Sequence, residues 1–302
     1  MSQVNVKKRT TLTGHRDCVY TVHGLPDSSV FFSGGGDGMI VKWDLLETEG
    51  TVLAQLPDSV YAMLYLPGQD LLMAGHNYDG VHLLDWRTKK EVGSLRLTTS
   101  AIFDIQPAGS ECLIACGDGS VIVVDTGQLI VKKRITLSEK SARTIAINHS
   151  VGEVAVGYSD NFIRIFRLDD LSIKMEFQAH TNSVFTLQYS PDSQWLVSGA
   201  RDARLKFWNV AENYHLQHEI AAHLFAINHL VFSPEGKHFV TCSMDKSVKV
   251  WQTDNRALLK VIDKARHAGH GTSVNKLLWC PFNNQLVSAS DDRTISIWDV
   301  IF

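Results

Sequence analysis

Seven times along this 302-residue chain an aspartate is followed, about six positions later, by an aromatic or large apolar residue. Asp37 leads to Trp43, Asp202 to Trp208, Asp245 to Trp251 and Asp292 to Trp298, each in six steps. Asp118 to Val124 and Asp160 to Phe166 keep the step without the Trp, and Asp79 reaches Leu84 in five. The seven aspartates stand 42, 39, 42, 42, 43 and 47 residues apart. Apolar alternation flanks the turns: WLVSGA and LKFWN, HFVTCS and VKVWQ, QLVSAS and ISIWD. This reads as strand, turn, strand with period two. One such unit cannot bury its own apolar faces, so the units must pack side by side. The repeat predicts an all-β, seven-bladed β-propeller of four-stranded antiparallel blades, a single domain over residues 1–302.

The chain ends support closure. The last repeat stops at Ile301-Phe302, after its third strand, while residues 4–12 precede the first repeat as a lone strand. Pairing the N-terminal strand with the last blade closes the ring. Ser-Pro-Asp at 190–192 and Ser-Pro-Glu-Gly at 233–236 are turn formers between strands. Lys7-Lys8-Arg9, Lys89-Lys90 and Lys132-Lys133-Arg134 fall on or beside outer strands and read as edge protection.

Composition narrows the function classes. Hydrophobic residues make up 44% and charged residues 20%, with a formal net charge of −3. Such a balance offers no electrostatic case for nucleic acid or an anionic membrane. No apolar run reaches the length of a membrane span, and the first residues lack the apolar core of a signal peptide. Five scattered cysteines, an odd number, point to reduced thiols and a cytoplasmic setting. We expect a chain that is monomeric by itself, with no cofactor.

Four repeats share more than Asp and Trp. A histidine lies 22 residues before the aspartate (His15, His180, His223, His270), and a serine or threonine four before it (Ser33, Ser198, Thr241, Ser288). With these residues the sequence resembles the WD-repeat family, whose blades carry a Gly-His dipeptide and a terminal Trp-Asp. The likeness covers essentially the whole chain. It implies a buried hydrogen-bonded chain of four side chains per blade: His15, Ser33, Asp37 and Trp43; His180, Ser198, Asp202 and Trp208; His223, Thr241, Asp245 and Trp251; His270, Ser288, Asp292 and Trp298. Leu56, Thr98 and Ser138 hold the histidine's place in repeats two to four, which also lack the Trp. A Ser, His and Asp together invite a hydrolase reading, but four copies argue against it, since a catalytic site is needed once. No catalytic residues and no metal site are expected. His267-x-x-His270 has metal-like spacing without a further ligand pair, and Gly34-Gly35-Gly36 lacks the rest of a phosphate loop.

The resemblance implies that one loop face docks protein or peptide partners. Positions that reach it are the third and fifth after the aligned histidine and the one before the aspartate. These place Tyr20, Tyr61, Tyr78, Phe103, Arg143, Phe185 and Arg201 as candidate partner-binding residues, types that dominate interface hot spots. The expected function is a non-enzymatic interaction scaffold. Two rivals are a propeller hydrolase or lyase with a channel metal, for which Asp104 and His229 are the available ligands, and a structural module of a larger complex that uses its blade sides.

Overall fold

The computed structural model describes residues 4–302. They form seven four-stranded antiparallel sheets, here blades 1 to 7. Blades 1 to 6 each run in chain order, over 19–55, 63–96, 102–136, 142–178, 184–221 and 227–262. Blade 7 takes its outer strand from the other end of the chain: Asn5–Thr13 pairs antiparallel with Thr294–Ile301, with Lys8 opposite Trp298, and Gln285–Ser290 and Val274–Cys280 follow inward. The predicted pairing of the N-terminal strand with the last blade is therefore present. Among the described residues the helices are a four-residue turn at Lys264–His267, N-capped by Asp263, and a 3-10 turn at Phe282–Asn284.

The strands are apolar on a scheme set by their place in the blade. Inner strands are covered on both faces and read as continuous apolar runs: SVIVVD at Ser120–Asp125 is buried except at its last residue. Outer strands are half solvated, so Ile173–Gln178 alternates exposed and half-buried residues.

The chain divides into two compact units. One comprises residues up to 76, 82–92 and 229–302; the other comprises 77–81 and 93–228. Within the first, cores form where sheets face one another. Val240, Val250, Leu277 and Trp298 fill one, Phe31, Trp43, Val287 and Ile297 the next, and Phe32, Ile40, Leu72 and Leu84 a third. Within the second, Leu113, Val123, Val156 and Phe166 pack between blades 3 and 4, and Ile163, Ile165, Leu196 and Trp208 between blades 4 and 5. Each fully buried large side chain of this kind contributes about 1.5–3 kcal/mol. Cys112 and Cys116 both lie buried in Glu111–Cys116, and burial pushes each thiol up to about 12, so these are core thiols and not nucleophiles.

Candidate functional site

The repeats that carry the aligned histidine, after Gly in blades 1 and 7 and after Ala in blades 5 and 6, build a buried polar chain across the blade. In blade 1, Trp43 Nε1 donates to Ser33 Oγ at 2.7 Å, Ser33 Oγ lies 2.7 Å from His15 Nε2, and His15 Nδ1 is 3.1 Å from both Asp37 oxygens. Blade 5 repeats it through Trp208, Ser198, His180 and Asp202 at 2.9, 2.7 and 3.0 Å. Blade 7 does so through Trp298, Ser288, His270 and Asp292 at 2.9 Å each. In blade 6, Trp251 donates to Thr241 at 2.9 Å. A carboxylate only accepts and an indole N–H only donates. Hence the histidine Nδ1 carries the hydrogen given to Asp, and the serine hydroxyl donates to Nε2. Burial holds His180 below its ordinary value, so the ring stays neutral. Burial also pushes the Asp202 carboxyl up, but bonds from His180 and the Thr181 and Arg204 amides outweigh it and hold it at about 2. All three serines are 0% exposed, so their hydroxyls have no approach for a substrate.

Blades 2 to 4 replace this chain with arginine. Arg96 Nε donates to Asp79 at 2.8 Å. Arg134 lies 3.6 Å from Asp118, which also accepts from Thr98 at 3.3 Å. Arg164 contacts Asp160 and Glu176, both at 2.9 Å, with Ser138 donating to Asp160 at 2.7 Å. Thr98 and Ser138, in the histidine's aligned place, thus still reach the aspartate of the turn.

The candidate partner-binding residues fall into separate groups. In the first unit, Tyr20 and Tyr61 are half-buried and pack edge to face, ring centroids 4.6 Å apart. In the second, the Arg143 guanidinium lies between two rings, 3.7 Å from the centroid of Phe103 and 4.8 Å from that of Phe185. Stacking of this kind fixes a planar cation and presents its edge. Arg201 is exposed. Tyr78 is 60% exposed with φ of +66°, left-handed backbone that a bulky residue rarely adopts. In the other six blades the left-handed residue is the one after the aspartate: Gly38, Gly119, Asn161, Ala203, Lys246 and Arg293. The shortened step of blade 2 moves that conformation onto Tyr78, at the edge of an open cleft of about 700 Å³ lined by Arg96, Thr98, Asp118 and Arg134.

Sequence reasoning missed one exposed group. Leu224 and Phe225, 83% and 61% exposed, follow His223 in a loop tied to the blade 5 turn by the Ala222 amide, which donates to Ala203 O at 3.2 Å. A signal was present: the residues after the other histidines are Arg16-Asp17, Thr181-Asn182 and Gly271-Thr272, so an apolar doublet there stands out. The residues weighed for a channel metal have other work. Asp104 accepts from the Ile145 amide at 2.8 Å, and His229 Nδ1 from the Leu277 amide at 3.3 Å. Each braces its first strand to the first strand of the following blade. His270 is engaged with Ser288 and Asp292.

Comparison with known proteins places this arrangement. The chain is similar to the crystal structure of the WD40 beta propeller domain of Doa1, with a TM-score of 0.86 and 18% identity over 97% of both chains. This shows the fold, a β-propeller. It is 33% identical over 97 residues to small ribosomal subunit protein RACK1z of Arabidopsis thaliana, covering 32% of this chain and 29% of that protein. It is 23% identical over 245 residues to a striatin homolog of Dictyostelium discoideum (68% and 30%). With Elongator complex protein 2 of A. thaliana it shares 26% over 232 residues (67% and 25%). The chain spans about three tenths of the length of the first curated relatives it matches. The family described as WD domain, G-beta repeat matches residues 6–44, 171–209, 214–252 and 263–299, just over half of the sequence, and the protein belongs to that WD-repeat family.

Proposed function

We propose that this protein is a non-enzymatic scaffold that docks a protein or peptide partner on the acidic-turn ends of its blades. The observation that carries it is the set of large side chains kept exposed there in the second unit: Tyr78, Leu224 and Phe225. Tyr78 takes the left-handed place that the residue after the aspartate holds in the other blades, so the turn itself requires the conformation and blade 2 sets a large, 60% exposed ring upon it. The Phe103–Arg143–Phe185 stack and Arg201 supply cations of a kind suited to a carboxylate or phosphate of the partner. Tyr20 and Tyr61, packed on one another, form a second aromatic contact surface in the first unit. Two of the relatives are named as members of assemblies, the small ribosomal subunit and the Elongator complex, which supports the scaffold class. Burial of the three serines weighs against the hydrolase reading.

The test begins with affinity purification and mass spectrometry, followed by calorimetry with the identified partner. Tyr78→Ala and Phe225→Ala should leave the melting temperature within a degree or two of the parent. Each should weaken binding by ~2 kcal/mol, roughly 30-fold. Unchanged affinity in both, with Arg201→Ala also neutral, would move the contact to the blade sides.

A further inference from the structure

Blade 2 contains a histidine pair that the polar chains of the other blades do not explain. His76 ends the second strand, Leu71–His76, and His82 lies in the third, Gly80–Asp85. In blade 1, Thr21 pairs with Gly34; in blade 2 the Gly75 amide donates to Ala62 O. Thr21 and Ala62 each follow the fifth-position tyrosine, so His76 takes the register place of Gly35. A Cβ built on Gly35 would come within 3.0 Å of His15 Nδ1 and 2.9 Å of Asp37. A side chain at that place therefore enters the site that the Gly-His histidine fills in blade 1. Blade 2 has Leu56 instead of that histidine, and imidazoles from the second and third strands take over.

The two rings converge on one point. His76 Nδ1 and His82 Nε2 are 3.2 Å apart, with ring centroids at 5.2 Å and planes tilted by 51°. Two nitrogens bound to one tetrahedral zinc ion at about 2.0–2.1 Å each would be separated by about 3.3 Å. The outer nitrogens face carboxylates: His82 Nδ1 lies 3.3 Å from Glu91, and His76 Nε2 lies 3.9 Å from Asp58. A ligating imidazole whose other nitrogen hydrogen-bonds a carboxylate has its tautomer fixed and its basicity raised. Glu91 is within reach of His82 for this, whereas Asp58 stands beyond hydrogen-bond distance of His76. The histidine side chains are 8% and 13% exposed, whereas Glu91 and Asp58 are about half exposed, so the ligands are shielded and the carboxylates lie at the rim.

We propose that His76 and His82 form a binding site for a zinc-class transition-metal ion, with Glu91 as the outer carboxylate of His82. The pair supplies two ligands and leaves further positions to water or to a group of a bound partner. The proposal is independent of the scaffold reading.

Zinc titration of the chelator-treated full chain by calorimetry tests it, with cobalt absorption as a second readout. One equivalent should bind, and cobalt should give visible bands from nitrogen ligation. His82→Gln should weaken zinc binding at least tenfold and remove those bands, while His267→Gln leaves both unchanged. Glu91→Gln, a change at the exposed rim that leaves the fold intact even should His82→Gln impair it, should weaken binding by about tenfold. Absence of zinc uptake by the parent chain would overturn the proposal and leave a hydrogen-bonded histidine pair. Uptake with an affinity unchanged by both His82→Gln and Glu91→Gln would overturn it equally.

Discussion

Blade 5 and blade 4 belong to the same unit and solve the same problem with different chemistry. Each must hold an acidic turn against the neighbouring loop. Blade 5 does it with neutral, fully enclosed groups: an indole, a hydroxyl and an imidazole in series, ending on Asp202. Blade 4 does it with charge: Arg164, only 8% exposed, bridges Asp160 and Glu176 and lies against the rings of Tyr158 and Phe162. The neutral chain needs four residues at fixed spacing, because its side chains are short and each must meet the next within hydrogen-bond distance. The ionic version needs one long side chain that can arrive from any nearby strand. Arg96 and Arg134 come from outer strands, Arg164 from a third strand. Loss of the aligned histidine and Trp in blades 2 to 4 is therefore a change of bonding and not simple erosion.

The neutral and ionic braces differ in what the fold loses when each is removed. The largest expected effect is at blade 7, whose neutral chain depends on a complete sheet. Deleting residues 1–10 removes most of the outer strand and bares the edge of Thr294–Ile301. Insoluble protein or a sharply lower melting temperature is expected; a truncated protein that melts with the parent would refute the closure argument.

Next in size come the two chains themselves, compared by urea unfolding. Arg164→Ala leaves two carboxylates without their cation and should destabilise by about 3 kcal/mol. Asp202→Ala, which strands the Nδ1–H of His180, should lose about 1–3 kcal/mol. Equal effects from Arg164→Ala and from the exposed pair member Arg96→Ala would show that burial does not separate these ion pairs; an exposed pair is worth ~0–1 kcal/mol.

The smallest effect is in pH. Burial lowers His23, which accepts from the Tyr65 amide at 3.1 Å, to about 4, and lowers His229 well below its ordinary value. Between 6.5 and 4 the unfolded chain binds a proton at His23 that the folded chain does not. Its contribution is thus complete above pH 6.5 and is lost as pH falls through 4. At pH 6 the loss is about 1 kcal/mol. Stability profiles of the parent and His23→Gln should converge toward acid; parallel profiles would show that the ring protonates in place.

The seven blades were legible because spacing, turn residues and alternation all repeat, and the N-terminal strand was legible from an unfilled place in the last repeat. The arginine substitutes were not, since Arg96, Arg134 and Arg164 lie 17, 16 and 4 residues after their aspartates. A variable offset leaves no pattern to find. Asp104 and His229, too few to make a channel metal site, could be given no role from sequence, because the groups they serve are backbone amides that carry no mark there. The fifth positions pointed equally to Phe103, Arg143 and Phe185, but the stacking of the guanidinium against both rings was legible only in the folded structure.

The pairing of Asn5–Thr13 with Thr294–Ile301 also has a consequence in time. The first of these strands leaves the ribosome nearly the whole chain ahead of its partner. At about 5–20 residues per second the wait is roughly 15–60 s, long against hairpin formation in microseconds. Every other sheet can finish as its own four strands emerge, so the seam at blade 7 is the last to be sewn. For that interval the nascent protein carries a strand with no mate, and the run Lys7-Lys8-Arg9, set between the apolar Val6 and Leu12, is charge of the kind that keeps an unpaired strand from aggregating.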